Sequence, residues 1–191
     1  KYALPLMQPG DILTISESPL AITQGRAIPV TEIKVTPLAK LLSRFVSKVP
    51  YGIGLGSPTS MQCAIEETGV LKILLAAFIG AIGKLLGRKG DFYRVAGMQA
   101  ALIDAATTSP VPPYTDMVIK GPLNPSKVCL ALHSRFGYEF AVMDINDIGG
   151  CWMIGNSPGV SKHFMEKVMK DNPQGQGDEL TPFCIVRRVS N

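Results

Sequence analysis

At 191 residues, with 46% hydrophobic and 18% charged side chains, the chain can bury a sizeable core, which excludes an intrinsically disordered protein. A formal net charge of +4 suits an anionic small molecule. With 7% aromatics and no basic stripe interleaved with Phe or Tyr, the sequence lacks the footprint of a nucleic-acid binder.

Cys63, Cys129, Cys151 and Cys184 form no C-x-x-C pair, and His133 and His163 complete no zinc-ligand spacing, so the cysteines read as small apolar residues of a reduced, cytoplasmic protein. No signal peptide is recognisable. Residues 1–191 are read as a single domain, and a start at Lys1 rather than Met is compatible with a missing upstream segment.

In chain order, GDILTIS (Gly10–Ser16) reads as a strand after a Pro-Gly turn, and RAIPV (Arg26–Val30) as a short extended piece. From Pro37, apolar Leu38, Leu41, Leu42, Phe45, Val46 and Val49 recur at helical spacing, predicting an amphipathic helix that ends at Pro50. The glycine-rich YGIGLGSPTSMQ follows as a turn, and Thr59 with Gln62 makes a capping-box pattern for a long helix. A helix N-terminus behind glycines can cradle phosphate. This turn has no glycine at position 57 or 59 for a dinucleotide fingerprint and no lysine after its last glycine for a P-loop, so a structural turn is the default.

The long helix carries ILLAAFIGAIG (Ile73–Gly83), an uncharged run bracketed by Lys72 and Lys84. Eleven residues are too few for a bilayer core, which needs about 20, so the run is expected to be a buried helix. Gly80, Gly83 and Gly87, with Ala76, Ala77 and Ala81, leave its surface smooth enough for another backbone to approach, and Gly69 is a candidate break.

GRKGDFYRVAG then places Arg88, Lys89 and Arg94 around Asp91 on a presumed loop. Guanidinium forks and an ammonium between glycines suit phosphate or carboxylate; the alternative is a solvated basic turn. DMVIK reads as a strand, Asn124–Pro125 opens a helix that Gly137 closes, and YEFAVMD is a strand delivering Asp144 to its end. Asp144, Asn146 and Asp147 either offer hard oxygen ligands to Mg or Mn or satisfy backbone donors in the turn before Gly149–Gly150. CWMIG is a strand, Val160–Lys170 a helix, NPQGQGDE a polar loop, and TPFCIVRRV the last strand. Strands and helices mix without βαβ alternation, which predicts an α+β fold of mixed sheets with packed helices. No Ser-His-Asp, Cys-His or H-E-x-x-H constellation is readable, and catalytic residues are not assigned.

Taken in order, GDILTISESPLAITQGR, GRKGDFYRVAG and FMEKVMKDNPQGQGDELTPFCIVRRV resemble the coenzyme F420-0:gamma-glutamyl ligase family over nearly the whole chain. The resemblance implies that family's α+β fold, an intertwined homodimer, and GTP with Mg or Mn as the means of joining L-glutamate to a phosphorylated acceptor, the precursor of coenzyme F420. It places Arg26 in a first G-R turn, Arg88 on a second, and Gly175, Gln176 and Asp178 on a G-Q loop. The family's Ser-Lys pair appears here as Ala21–Ile22, its metal-binding Asp-Thr pair as Lys84–Leu85, and no acid lies between Glu32 and Glu66 for a further metal position. The expected anion or nucleotide contacts are Arg26, Arg88, Lys89, Arg94 and Gln176, and the expected metal ligands are Asp144, Asp147 and Asp178. The expected partners are a phosphorylated small molecule or nucleotide and a second copy of the chain, with no nucleic acid and no membrane. The alternative is a non-catalytic anion- or nucleotide-binding protein that kept the fold and lost the metal site.

Overall fold

The computed structural model describes residues 2–46, 54–88, 90–106, 112–145, 150–175, 179 and 181–188. The chain is α+β, and it forms two compact units, residues 1–20 with 122–191 and residues 21–121.

The first unit is a sheet with helices on both faces. Strands β1 (Ile12–Ser16), β4 (Glu139–Ile145), β5 (Cys151–Asn156) and β6 (Phe183–Val186) are ordered β5-β4-β1-β6. β1 and β4 run parallel, with Thr14 opposite Ala141, and both edge strands pair antiparallel to them. Successive side chains on a strand point to opposite faces. Ala141, Met143 and Ile145 therefore join Met165 and Met169, on or just beyond α8 (Lys162–Val168), while Phe140 and Val142 join Cys129 and Leu132 of α7 (Pro125–Phe136). A strand covered on both faces has no polar side, so β1 is buried at all five positions. Gly155 on β5 makes the α7 packing possible, because a Cβ there would lie 2.6 Å from the Pro125 carbonyl carbon.

The second unit packs helices on a two-stranded ribbon of β2 (Ala27–Pro29) and β3 (Met117–Ile119), antiparallel with Ile28 opposite Val118. Its core centres on α3 (Pro58–Thr68), whose Met61, Cys63, Ala64 and Ile65 pack with Ala39 of α2 (Pro37–Ser43), Ile73 and Ala76 of α4 (Val70–Leu85), Ala96 of α5 (Asp91–Ala96) and Ala100 of α6 (Met98–Ala101). The break expected at Gly69 is present. Its φ of 88° lies in the left-handed region that glycine tolerates, and α3 and α4 meet there at a bend of 117°.

Several local expectations need correction. The helix from Pro37 stops at Ser43, because the following amides of Arg44, Phe45 and Val46 bond three residues back and tighten the last turn; residues 47–50 lie outside the described residues. Thr59 and Gln62 form no capping box. Pro58 takes the first helical position, making Ser57 the cap, and Gln62 instead accepts from the amide and hydroxyl of Thr36. The final helix is shorter than Val160–Lys170, since Ser161 caps it by accepting from the Phe164 amide. The segment read as a basic loop becomes helical from Asp91, and α1 (Glu17–Thr23) was not anticipated.

The largest correction concerns the apolar run. Only Ile73, Ala76 and Gly83 of α4 are buried, while Leu71, Phe78 and Leu85 are 84, 65 and 87% exposed. Uniformly apolar composition predicted burial all round; the helix contacts its own unit along one side. Gly80 and Gly83 do admit a close neighbour, and it is α5 of the same unit.

Gly155→Ala should destabilise the chain by about 1–3 kcal/mol, because the added methyl collides with backbone rather than with a side chain that can move. Urea unfolding of the two proteins measures the difference, and equal midpoints would contradict the packing described.

Candidate functional site

The basic cluster is organised by one buried carboxylate. Gly90, at φ 83°, turns the chain into α5 so that Asp91 lies over Gly83 of α4, where any side chain at 83 would occupy the place of its carboxyl group. The Arg88 amide ties the incoming turn back to the Gly83 carbonyl at 2.8 Å. Arg94 Nη1 reaches Asp91 Oδ1 at 2.6 Å, one helical turn on, and Arg88 Nε reaches Oδ2 at 3.1 Å. The Asp91 side chain is 7% exposed, against 63% for Arg88 and 67% for Arg94. One carboxylate balances one of the two guanidiniums, so the cluster keeps a positive charge and directs unused N–H donors toward solvent.

Arg26 belongs to a different constellation. Its Nε donates to the Gly121 carbonyl at 2.5 Å, and Nη2 donates to Glu67 Oε2 at 2.7 Å and to Gln99 Oε1 at 3.2 Å. Lys120 Nζ lies 3.1 Å from Glu67 Oε1 and 3.7 Å from Glu66 Oε2. Burial pushes the Glu67 carboxyl up, but the hydrogen bonds from Arg26 and Lys120 outweigh it and hold the group below the usual carboxylate range. With so many of its donors engaged, Arg26 braces the unit around α3 and the ends of β2 and β3. Its predicted role as an anion contact would require breaking these bonds. Sequence reasoning missed Glu67, Gln99 and Lys120, since partners separated by 41 or 73 positions leave no local pattern.

In the sheet unit, Asp144 stands near the end of β4, half-buried and paired in register with Trp152. Lys89, Asp147, Gln176 and Asp178, the other expected site residues, lie outside the described residues. Among the described residues, no group of three or more His, Cys, Asp or Glu side chains could share a metal ion, so these residues do not by themselves fit a divalent cation. Gln174 is fully buried. Its Nε2 donates to Ser16 Oγ at 3.0 Å, while its Oε1 has no hydrogen-bond partner among the described residues.

A concave surface in the same unit was also missed. Arg187 there holds Asp11 through two bonds of 2.9 and 2.7 Å, and Glu139 accepts from the Ser157 hydroxyl and the Gly159 amide. The hydrogen bonds from Arg187 and from the Gln8 amide hold the Asp11 carboxyl below its ordinary value. His133 sits with Nδ1 2.9 Å from the Tyr138 carbonyl and 3.4 Å from Glu139, at the last turn of α7. Asp11 and Arg187 balance one another here, unlike the two guanidiniums on Asp91.

No protein-family model matches this chain, and no curated protein matches it.

The lowered Glu67 value has a definite pH consequence. The stability contributed by the ionised carboxylate is complete above its unfolded value of 4.5 and is lost as pH falls through the lower folded value. Glu67→Gln should remove that component, flattening the stability profile between roughly pH 2 and 5. Denaturant melts across this range measure it, and an unchanged acid profile would contradict the assignment.

Proposed function

We propose that this chain is an F420-0:gamma-glutamyl ligase-like protein that binds a phosphorylated small molecule through Arg88 and Arg94, without needing a metal ion to do so. The observation that carries this function is the sharing of one buried carboxylate, Asp91, by two largely exposed guanidiniums. Asp91 fixes the positions of both forks, which lowers the ordering cost of meeting a phosphate, and the uncompensated charge supplies the attraction. Lys84, one turn before the cluster, adds positive charge where the resembled family has a metal-binding acid.

A second function, nucleotide- and metal-dependent ligation of L-glutamate, has one observation in its favour. Asp144 lies at the C-terminal end of the parallel β1–β4 pair, an edge where ligands gather in sheets containing parallel strands, and Asp147 is three positions further along the sequence. In that function, metal would neutralise nucleotide phosphates while an acyl phosphate is attacked by the glutamate amine.

Calorimetric titration with GTP, ATP and a phosphorylated hydroxy acid, with and without Mn, separates the two. Metal-independent binding that weakens roughly tenfold or more in both Arg88→Glu and Arg94→Gln supports the anion site. Nucleotide binding that requires Mn and survives these variants supports ligation instead. Absence of binding by any of the three ligands would remove both.

A further inference from the structure

The uncovered side of α4 is a continuous apolar stripe. At about 100° per residue, Leu71, Leu74, Leu75, Phe78, Ile82 and Leu85 all fall within an arc of about 100°, and all six are exposed. Ile73, Ala76 and Gly83 occupy the opposite, buried side. Lys72 and Lys84 stand on the two borders between these sides, both exposed, and Arg88 and Arg94 continue the positive charge beyond the C-terminal end. Residues 70–90 contain no Asp or Glu, and the nearest acid, Asp91, is taken up by the two arginines. Apolar patches of this kind mark interaction surfaces.

We propose that α4 lies in the plane of an anionic lipid surface, its leucine and phenylalanine stripe entering the acyl boundary while Lys72 and Lys84 at its borders, with Arg88 beyond its end, meet the phosphates of the headgroups. Charge selects this occupant. A second copy docked α4 against α4 would bring the same cations to a helix that has no carboxylate to receive them. An anionic bilayer offers the opposite charge and the apolar phase in one place. Length sets the orientation: 16 residues extend about 24 Å, short of a hydrocarbon core of about 30 Å, so the helix lies in the interface. No single helix among the described residues is long and apolar enough to cross a membrane. The expectation of no membrane partner rested on an uncharged run too short to cross a bilayer, a length argument that does not bear on a helix lying in the surface. The part played by Arg88 rests on the anion-binding function proposed above; the part played by the stripe does not.

Flotation of the full chain with phosphatidylcholine vesicles containing about 30% phosphatidylserine tests the proposal. Binding is expected to fall at least about tenfold on pure phosphatidylcholine, and by a similar factor in Phe78→Glu. Phe78 is exposed, so the variant should keep the parent's circular dichroism spectrum, and Leu71→Glu provides an independent second variant. No vesicle binding, equal binding to both lipid mixtures, or binding indifferent to both substitutions would overturn the proposal. So would a dimer that Phe78→Glu dissociates in sedimentation equilibrium while the parent ignores vesicles, since the stripe would then belong to a second copy. Phe78→Glu should leave calorimetric binding of a soluble phosphorylated ligand unchanged, so lipid docking and the soluble-anion site can each fail alone.

Discussion

The contact between Asp91 and the bare backbone of Gly83 determines much of what lies around it. A carboxylate pressed against a helix loses water, and cations close by offset the cost of that loss. Arg88 and Arg94 do so from either side, which fixes the turn before α5 and the first turn of α5 together. Because α5 occupies the side of α4 bearing Gly80 and Gly83, the opposite side is left without protein against it. The basic cluster and the apolar stripe thus have one packing origin.

The elements with strict periods were legible from sequence. β1, β4, β5 and β6 were each placed by their apolar runs and bounding turn residues, and α7 by Pro125 at its start and Gly137 at its end. Gly69 was legible as a break because few other residues accept its φ. Shorter pieces were not. A six-residue helix between Gly90 and Gly97 has too few turns to display a period, so α5 read as a loop. The exposure of α4 was hidden for another reason: composition reports that a surface avoids water, not which partner covers it.

The candidate site was legible to the same uneven degree. Arg88 and Arg94 are close in sequence to the acid they share, and their cluster was found. Arg26 was singled out for its G-R turn, yet its guanidinium meets Glu67 and Gln99 from distant segments. Such a network specifies how α3 seats on the β2–β3 ribbon, since each charged group would be left buried and unpaired in another arrangement. The buried cysteines follow from packing alone: desolvation pushes Cys63 up to about 11 and Cys129 up to about 12, so both thiols stay protonated and unreactive at neutral pH.

The bend at Gly69 also limits how much apolar length lies along one axis. Were α3 and α4 one straight rod, it would run about 40 Å, enough to pass through a bilayer. The turn instead leaves the 16 residues of α4 on an axis of their own, with Glu66 and Glu67 at the end of the preceding helix. The glycine at the bend thereby keeps the charged end of α3 and the apolar length of α4 on separate axes.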